Sequence, residues 1–212
     1  MNMNEPRRQA GASARPTAAE ASVTGALGLC AICASLAVAR GWVGAAGATL
    51  ALLTLAIVAA DRRAMIIPDA LNGSAFVVGL IGAVLAAPAE PRTAIVRALL
   101  RASAMFLAFF AFRAGYRRLR GVEGVGLGDV KLAAVAGVWL DWIDLPVAVD
   151  IAALAALATA LLRRFRGEDL DMQAKLPFGA FFAPAIWLCW LLAAWRHNGA
   201  LTQALAALSN GS

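Results

Sequence analysis

Asp129 stands among three glycines in the run GVGLGDVKL, residues 124–132, in a chain whose other long stretches are apolar. A carboxylate at membrane depth is costly, so one found there is a candidate functional group and needs a partner. The acids on its side of the chain are Asp61, Asp69, Glu123, Glu168, Asp169 and Asp171, besides Glu5 and Glu20 near the N-terminus. Asp61 closes the apolar run 52–60 and reaches nearly the depth of Asp129. Asp69 follows Pro68 and opens the next apolar stretch, the place of an N-cap that accepts from the first helical N–H groups. Pro68 would end any continuation of the helix before it. Asp61 is therefore the expected partner of Asp129.

Two close carboxylates cannot both ionise cheaply. They share one proton, so one acts as base and the other as acid. Such a pair activates water for peptide hydrolysis without a metal or a covalent intermediate. The chemistry needs two aspartates on adjacent helices, a close contact between those helices and restricted water. The competing reading pairs each aspartate with a neighbouring cation: Arg62, Arg63 or Lys131. Lys131, two residues beyond Asp129, would point to nearly the opposite side of a helix. It is expected to snorkel to lipid phosphate instead.

The elements that must position these groups are membrane helices. Only 15% of the 212 residues are charged, against about a quarter in soluble domains. Seven apolar stretches recur, at about 22–39, 43–60, 70–88, 94–112, 130–145, 147–162 and 177–195. Each is near the length of a span, though the fifth and sixth are short. They are continuous and Ala/Leu-rich rather than alternating, which excludes a barrel. The fold class is all-α, a polytopic transmembrane bundle of six to seven spans. Residues 1–20 read as a disordered cytosolic tail, 21–198 as the membrane domain and 199–212 as a C-terminal tail. Within that tail, 199–208 could form a short interfacial helix.

Orientation follows from counting lysine and arginine. With the N-terminus inside, fourteen of the nineteen fall on the cytosolic side: Arg7, Arg8, Arg15, Arg62, Arg63, Arg113, Arg117, Arg118, Arg120, Lys131, Arg163, Arg164, Arg166 and Lys175. This is the positive-inside pattern. Basic residues confined to short loops also argue against nucleic acid, despite a net charge of +6. The run Arg117–Arg120 reads as a headgroup anchor, and Glu168, Asp169 and Asp171 as a solvated loop. Trp42, Trp139, Trp142 and Trp195 are then expected at the outer interface. The fifth span is too short to cross from Val130 to Leu145. Either its helix begins earlier, near Gly121, making Gly124 and Gly128 a small-residue contact, or an irregular loop lines a wet cavity.

Other chemistries have little to work with. Cys30 and Cys33 form a CxxC in an apolar stretch with no second pair to complete a zinc site, and Cys189 stands alone. His197 is the only histidine. No metal and no cofactor is expected.

Taken together, three blocks resemble the type IV prepilin peptidases, membrane aspartic proteases of the GxGD type. DRRAMIIPD, Asp61 to Asp69, looks like the first family motif. EGVGLGDVKL, Glu123 to Leu132, resembles the second, including the lysine two after the aspartate. LPFGAFFAPAIW, Leu176 to Trp187, is similar to the Pro-Phe-Gly segment. The resemblance implies that Asp61 and Asp129 are catalytic and that Gly126 and Gly128 shape the backbone beside Asp129. Lys131, Pro68 and Asp69 belong to the motifs. Pro177, Phe178 and Gly179 would be structural or close to substrate. It further implies a bacterial inner-membrane endopeptidase that removes the short basic leader of prepilins or type II secretion pseudopilins at the cytosolic face. Bifunctional members carry two CxxC pairs in an N-terminal cytosolic insert and also methylate the product. With none such here, the resemblance implies a peptidase-only, shortened form that does not bind S-adenosylmethionine.

Three alternatives share features. Presenilin and signal-peptide-peptidase relatives also carry GxGD but place the first aspartate after a tyrosine; Asp61 follows Ala60. A transporter would prefer acids near the midplane and inverted repeats, whereas Asp61 stands at a helix end and no internal repeat stands out. A catalytically dead scaffold of a pilus or secretion machine would not need both aspartates.

Overall fold

The computed structural model describes residues 18–121, 124–167 and 177–210, with the side chains of 22–121, 124–167 and 177–199. Among the described residues seven helices occupy the seven apolar stretches: α1 Ala18–Val38, α2 Gly41–Ala64, α3 Asp69–Ala86, α4 Pro91–Arg120, α5 Leu127–Trp139, α6 Asp144–Phe165 and α7 Gly179–Asn210. No strand occurs among the described residues. By length and composition α2, α3, α4, α6 and the Gly179–Gly199 part of α7 can cross a membrane, and Ser22–Val38 of α1 is a shorter apolar helix. The chain is a multi-pass membrane protein.

The hub is α5. Its 13 residues pack against α3, α4 and α7. Val130, Leu132, Ala133, Val135, Ala136 and Val138 are all buried, so the helix is enclosed all round. Small residues permit this. At Gly137 a β-carbon would lie 2.5 Å from the backbone of Ala102, where α4 crosses α5. On the outside, α2 packs against α1, α3 and α7, and α6 against α7.

Several expectations are corrected here. The fifth helix does not begin near Gly121. That glycine, at φ 72°, ends α4, and α5 starts only at Leu127. The alternative of an irregular segment before Asp129 holds. Gly124 is outside any helix, and a β-carbon there would lie 2.6 Å from the ring of Tyr116, so it does not share a helix face with Gly128 for another helix to approach. Trp139 packs into the bundle rather than outward. Its indole donates to the Ala75 carbonyl at 2.9 Å and ties α5 to α3. Residues 199–208 continue α7 rather than forming a separate helix. The loop acids Glu168, Asp169 and Asp171 lie outside the described residues.

Candidate active site

The ends of α2, α5 and α7 and the linker between α2 and α3 meet at one end of the bundle. α2 stops because Met65 takes a left-handed conformation, φ 52°, and its N–H bonds the Asp61 carbonyl. The linker then turns Ile67 into the core and Pro68 sets the start of α3. Asp61 is thereby held in the last turn of α2, only 5% exposed.

Asp129 lies in the first turn of α5. Its Oδ2 accepts from the Gly126 N–H at 3.2 Å, a carboxylate folding back on the helix start. Gly126 permits this closeness, since a β-carbon there would be 3.3 Å from that oxygen. Gly128 packs against Ile67, where a β-carbon would lie 3.2 Å from the isoleucine Cβ.

The start of α7 completes the site. The Ala180 N–H donates to Asp61 Oδ2 at 2.7 Å, and the Gly179 backbone donates toward Asp129. These are helix-start N–H groups with no intrahelical acceptor, suited to hold negative charge. A β-carbon on Gly179 would lie 3.0 Å from Asp129 Oδ1 and 3.0 Å from Asp61 Oδ2. Oxygens of both carboxylates therefore border the same point, which Ile67 Cδ1 also crowds at 2.6 Å, so only glycine fits between them. Phe178 packs on Phe182, with ring centroids 5.4 Å apart, and on Phe109 of α4 at 6.3 Å, which fixes where α7 begins. The Pro177 carbonyl accepts from the Ala180 N–H at 3.2 Å, closing the turn.

Two motif residues behave differently from expectation. Asp69 is not an N-cap: Pro68 occupies that position and no side chain caps α3. Lys131 does not extend to lipid. Its ammonium sits 2.6 Å from Asp69 Oδ1, so the two neutralise each other. The reason is placement: α3 and α5 start side by side, and the first turn of each carries one of the pair. Asp61 and Asp129 form no ion pair among the described residues.

Sequence reasoning missed Asn72, Ile67 and Arg113. Asn72 is 4% exposed, and its Nδ2 donates to the Gly128 carbonyl at 3.3 Å. Its buried Oδ1 has no partner among the described residues. The available signal was an amide in an otherwise apolar run, one turn after Pro68. Arg113 donates to the Val125 carbonyl and braces the glycine segment from α4. No cluster of metal-ligating side chains occurs among the described residues.

The chain is similar to known proteins across this same region. Residues 48–161 match the type IV leader peptidase family, over more than half of the chain. The prepilin leader peptidase/N-methyltransferase of Burkholderia pseudomallei (strain K96243) is 36% identical over 145 residues, covering 66% of this chain and 45% of that protein. That of Dickeya chrysanthemi is 35% identical over 129 residues, 61% of this chain and 44% of the relative. That of Aeromonas hydrophila is 29% identical over 169 residues, 77% of this chain and 54% of the relative. The chain thus spans about half the length of the curated relatives it matches. No solved structure matches it. Asp61 and Asp129 fall inside the family segment, whereas Gly179, which lies between them in space, falls beyond its end. A helical membrane bundle that carries both aspartate blocks within the matched residues belongs to the type IV leader peptidase family.

Proposed function

We propose that this chain is a membrane-embedded aspartic endopeptidase that removes the short basic leader from prepilins or pseudopilins. The observation that carries the reading is the convergence of Asp61 Oδ2 and Asp129 Oδ1 on one point beside Gly179. A water bound between the two carboxylates, beside Gly179 rather than on it, would touch both. Asp61, whose amide bond from Ala180 is shorter at 2.7 Å than the 3.2 Å bond from Gly126 to Asp129, takes the water proton. The hydroxyl oxygen bonds to the scissile carbonyl carbon while Asp129, protonated, gives its proton to the carbonyl oxygen. The tetrahedral diol then collapses: the C–N bond breaks, the leaving amine takes a proton from Asp61, and Asp129 recovers its own from the diol. The proposal covers hydrolysis alone and invokes no cofactor.

The basic clusters Arg62–Arg63, Arg117–Arg120 and Arg163–Arg166 end α2, α4 and α6 at the same end of the bundle as both aspartates. That distribution supports a cytosolic site in a bacterial inner membrane. The test is co-expression with a prepilin, following leader removal by gel shift for wild type and Asp129→Ala. Cleavage by wild type alone supports the reading. No cleavage by correctly inserted wild type across several prepilin classes would move weight to a scaffold or transport role.

A further inference from the structure

The short α5 leaves a space above it. Thirteen residues rise about 20 Å, roughly 10 Å less than a bilayer core. At the end away from the carboxylates, a cavity of about 270 Å³ sits over its last turn. Two arginines one turn apart on α4, Arg97 and Arg101, line it together with Asp141 and Asp144. Charges in such a place mark a function more often than an accident.

The charges are unevenly satisfied. Arg101, whose side chain is 12% exposed, holds Asp141 Oδ1 at 2.9 Å and donates to the Gly137 carbonyl at 3.1 Å, capping α5. Asp144 is held by Arg196 at 2.5 Å. Arg97 pairs with no acid among the described residues. Counting Arg196, which reaches Asp144 from outside the lining, three arginines face two aspartates, and the one left without an acid is the exposed Arg97. Beside it the walls are apolar: Ala83 and Ala86 of α3 and Ala94 of α4. Arg97 lies six residues into α4, about 9 Å below its start.

We propose that this recess binds the phosphodiester of an anionic glycerophospholipid, with the phosphate on Arg97 and hydrocarbon against the alanine wall. One spare cation matches one net negative charge, which phosphatidylglycerol carries and zwitterionic phosphatidylcholine does not, and both acids are already engaged. An arginine that merely snorkels to bulk headgroups would show no preference among lipids and need no cavity.

Native mass spectrometry of the full chain in detergent tests this, with phosphatidylglycerol, phosphatidylcholine or inorganic phosphate added. A single phosphatidylglycerol adduct is expected, held more tightly than phosphatidylcholine. Arg97→Ala should bind it about fivefold more weakly, the usual worth of one arginine at a lipid phosphate. Arg97→Lys should retain it, and Ala83→Phe, which fills the recess without touching charge, should lose it. Arg164→Ala, at the other end of α6, should bind as wild type. Equal retention by wild type and Arg97→Ala, or equal binding of both lipids, overturns the proposal. Displacement of the lipid by stoichiometric inorganic phosphate overturns it in favour of a soluble-phosphate site. Thermal melting of each variant shows whether a loss of adduct is a loss of fold, and the lysine and phenylalanine variants decide the matter if the alanine one melts early.

Discussion

The two ends of the bundle treat their aspartates in opposite ways. At one end Asp141 and Asp144 each hold an arginine at ion-pair distance. At the other, Asp61 and Asp129 face each other across Gly179 with helix amides around them and no described cation between them. Between these extremes lies Asp69, at the same end as the facing pair but neutralised by Lys131. A paired acid is at rest: its charge is already matched. An acid set against another acid must share a proton, and that shared proton is the property hydrolysis uses. Among the described residues the fold spends cations on Asp69, Asp141 and Asp144 and none on these two.

Breaking the facing pair should have the largest effect. Asp61→Asn or Asp129→Asn removes one titrating group while keeping the shape, and leader removal should fall by about 10²–10⁴-fold or more, the worth of a positioned acid or base. Membrane insertion and melting temperature should hold. If either variant cleaves at near wild-type rate, the assignment of the pair fails. Next comes Gly179→Ala. Its methyl would press on both carboxylates at 3.0 Å and on Ile67 at 2.6 Å, so the oxygens must part and water lose its place. On the order of 100-fold less cleavage is expected, as for other small misplacements of reacting groups. Gly73→Ala is the matched control, because nothing lies near its β-carbon. It should leave cleavage intact and stabilise α3 by up to about 1 kcal/mol.

Asn72→Ala should act in the middle of the range. It takes away the donor that holds the Gly128 carbonyl, one residue before Asp129. About a tenfold drop in turnover is expected, with little change in substrate affinity, because the loss loosens a catalytic group rather than a binding surface. Separate kcat and KM measurements decide it; a pure KM effect would make Asn72 part of the substrate path instead.

Asn72 also marks how far sequence carries. Helix positions and the two aspartates were legible because apolar run length and depth are local properties: Asp61 ends one run, Asp129 opens another. The role of Gly179 was not, since the Asp61–Ala180 bond joins residues 119 apart in sequence. A missing side chain announces nothing until the groups it makes room for are in place. The Asp69 cap was misread for a related reason. Local preference favours aspartate before a helix, but Pro68 had already taken the cap and the first turn of α5 brought Lys131 within reach. The length of α5 was misjudged because the apolar run 130–145 hides the break at Leu140, after which Asp141 turns back to Arg101.

The smallest expected effect is the sharpest check on the comparison. Asp69→Asn changes an acid in the same motif, at the same end of the bundle, eight residues from Asp61. It breaks an ion pair whose side chains are 76% and 44% exposed, and exposed pairs are worth about 0–1 kcal/mol. Stability should therefore move little. Cleavage should stay within about threefold, since Lys131 regains hydration at low cost. Asp144→Asn, at the far end, should likewise spare cleavage but lower the melting temperature more, because Asp144 is buried and its removal leaves Arg196 without its partner. If Asp69→Asn instead silences cleavage as fully as Asp61→Asn, then proximity to the motif, and not freedom from a cation, selects the working acids. Asp69 would then have to exchange Lys131 for substrate or for Asp129 during the reaction. Rate measurements on Asp69→Asn with Lys131→Met separate the two, since the double variant should cleave like wild type only when the ion pair is structural.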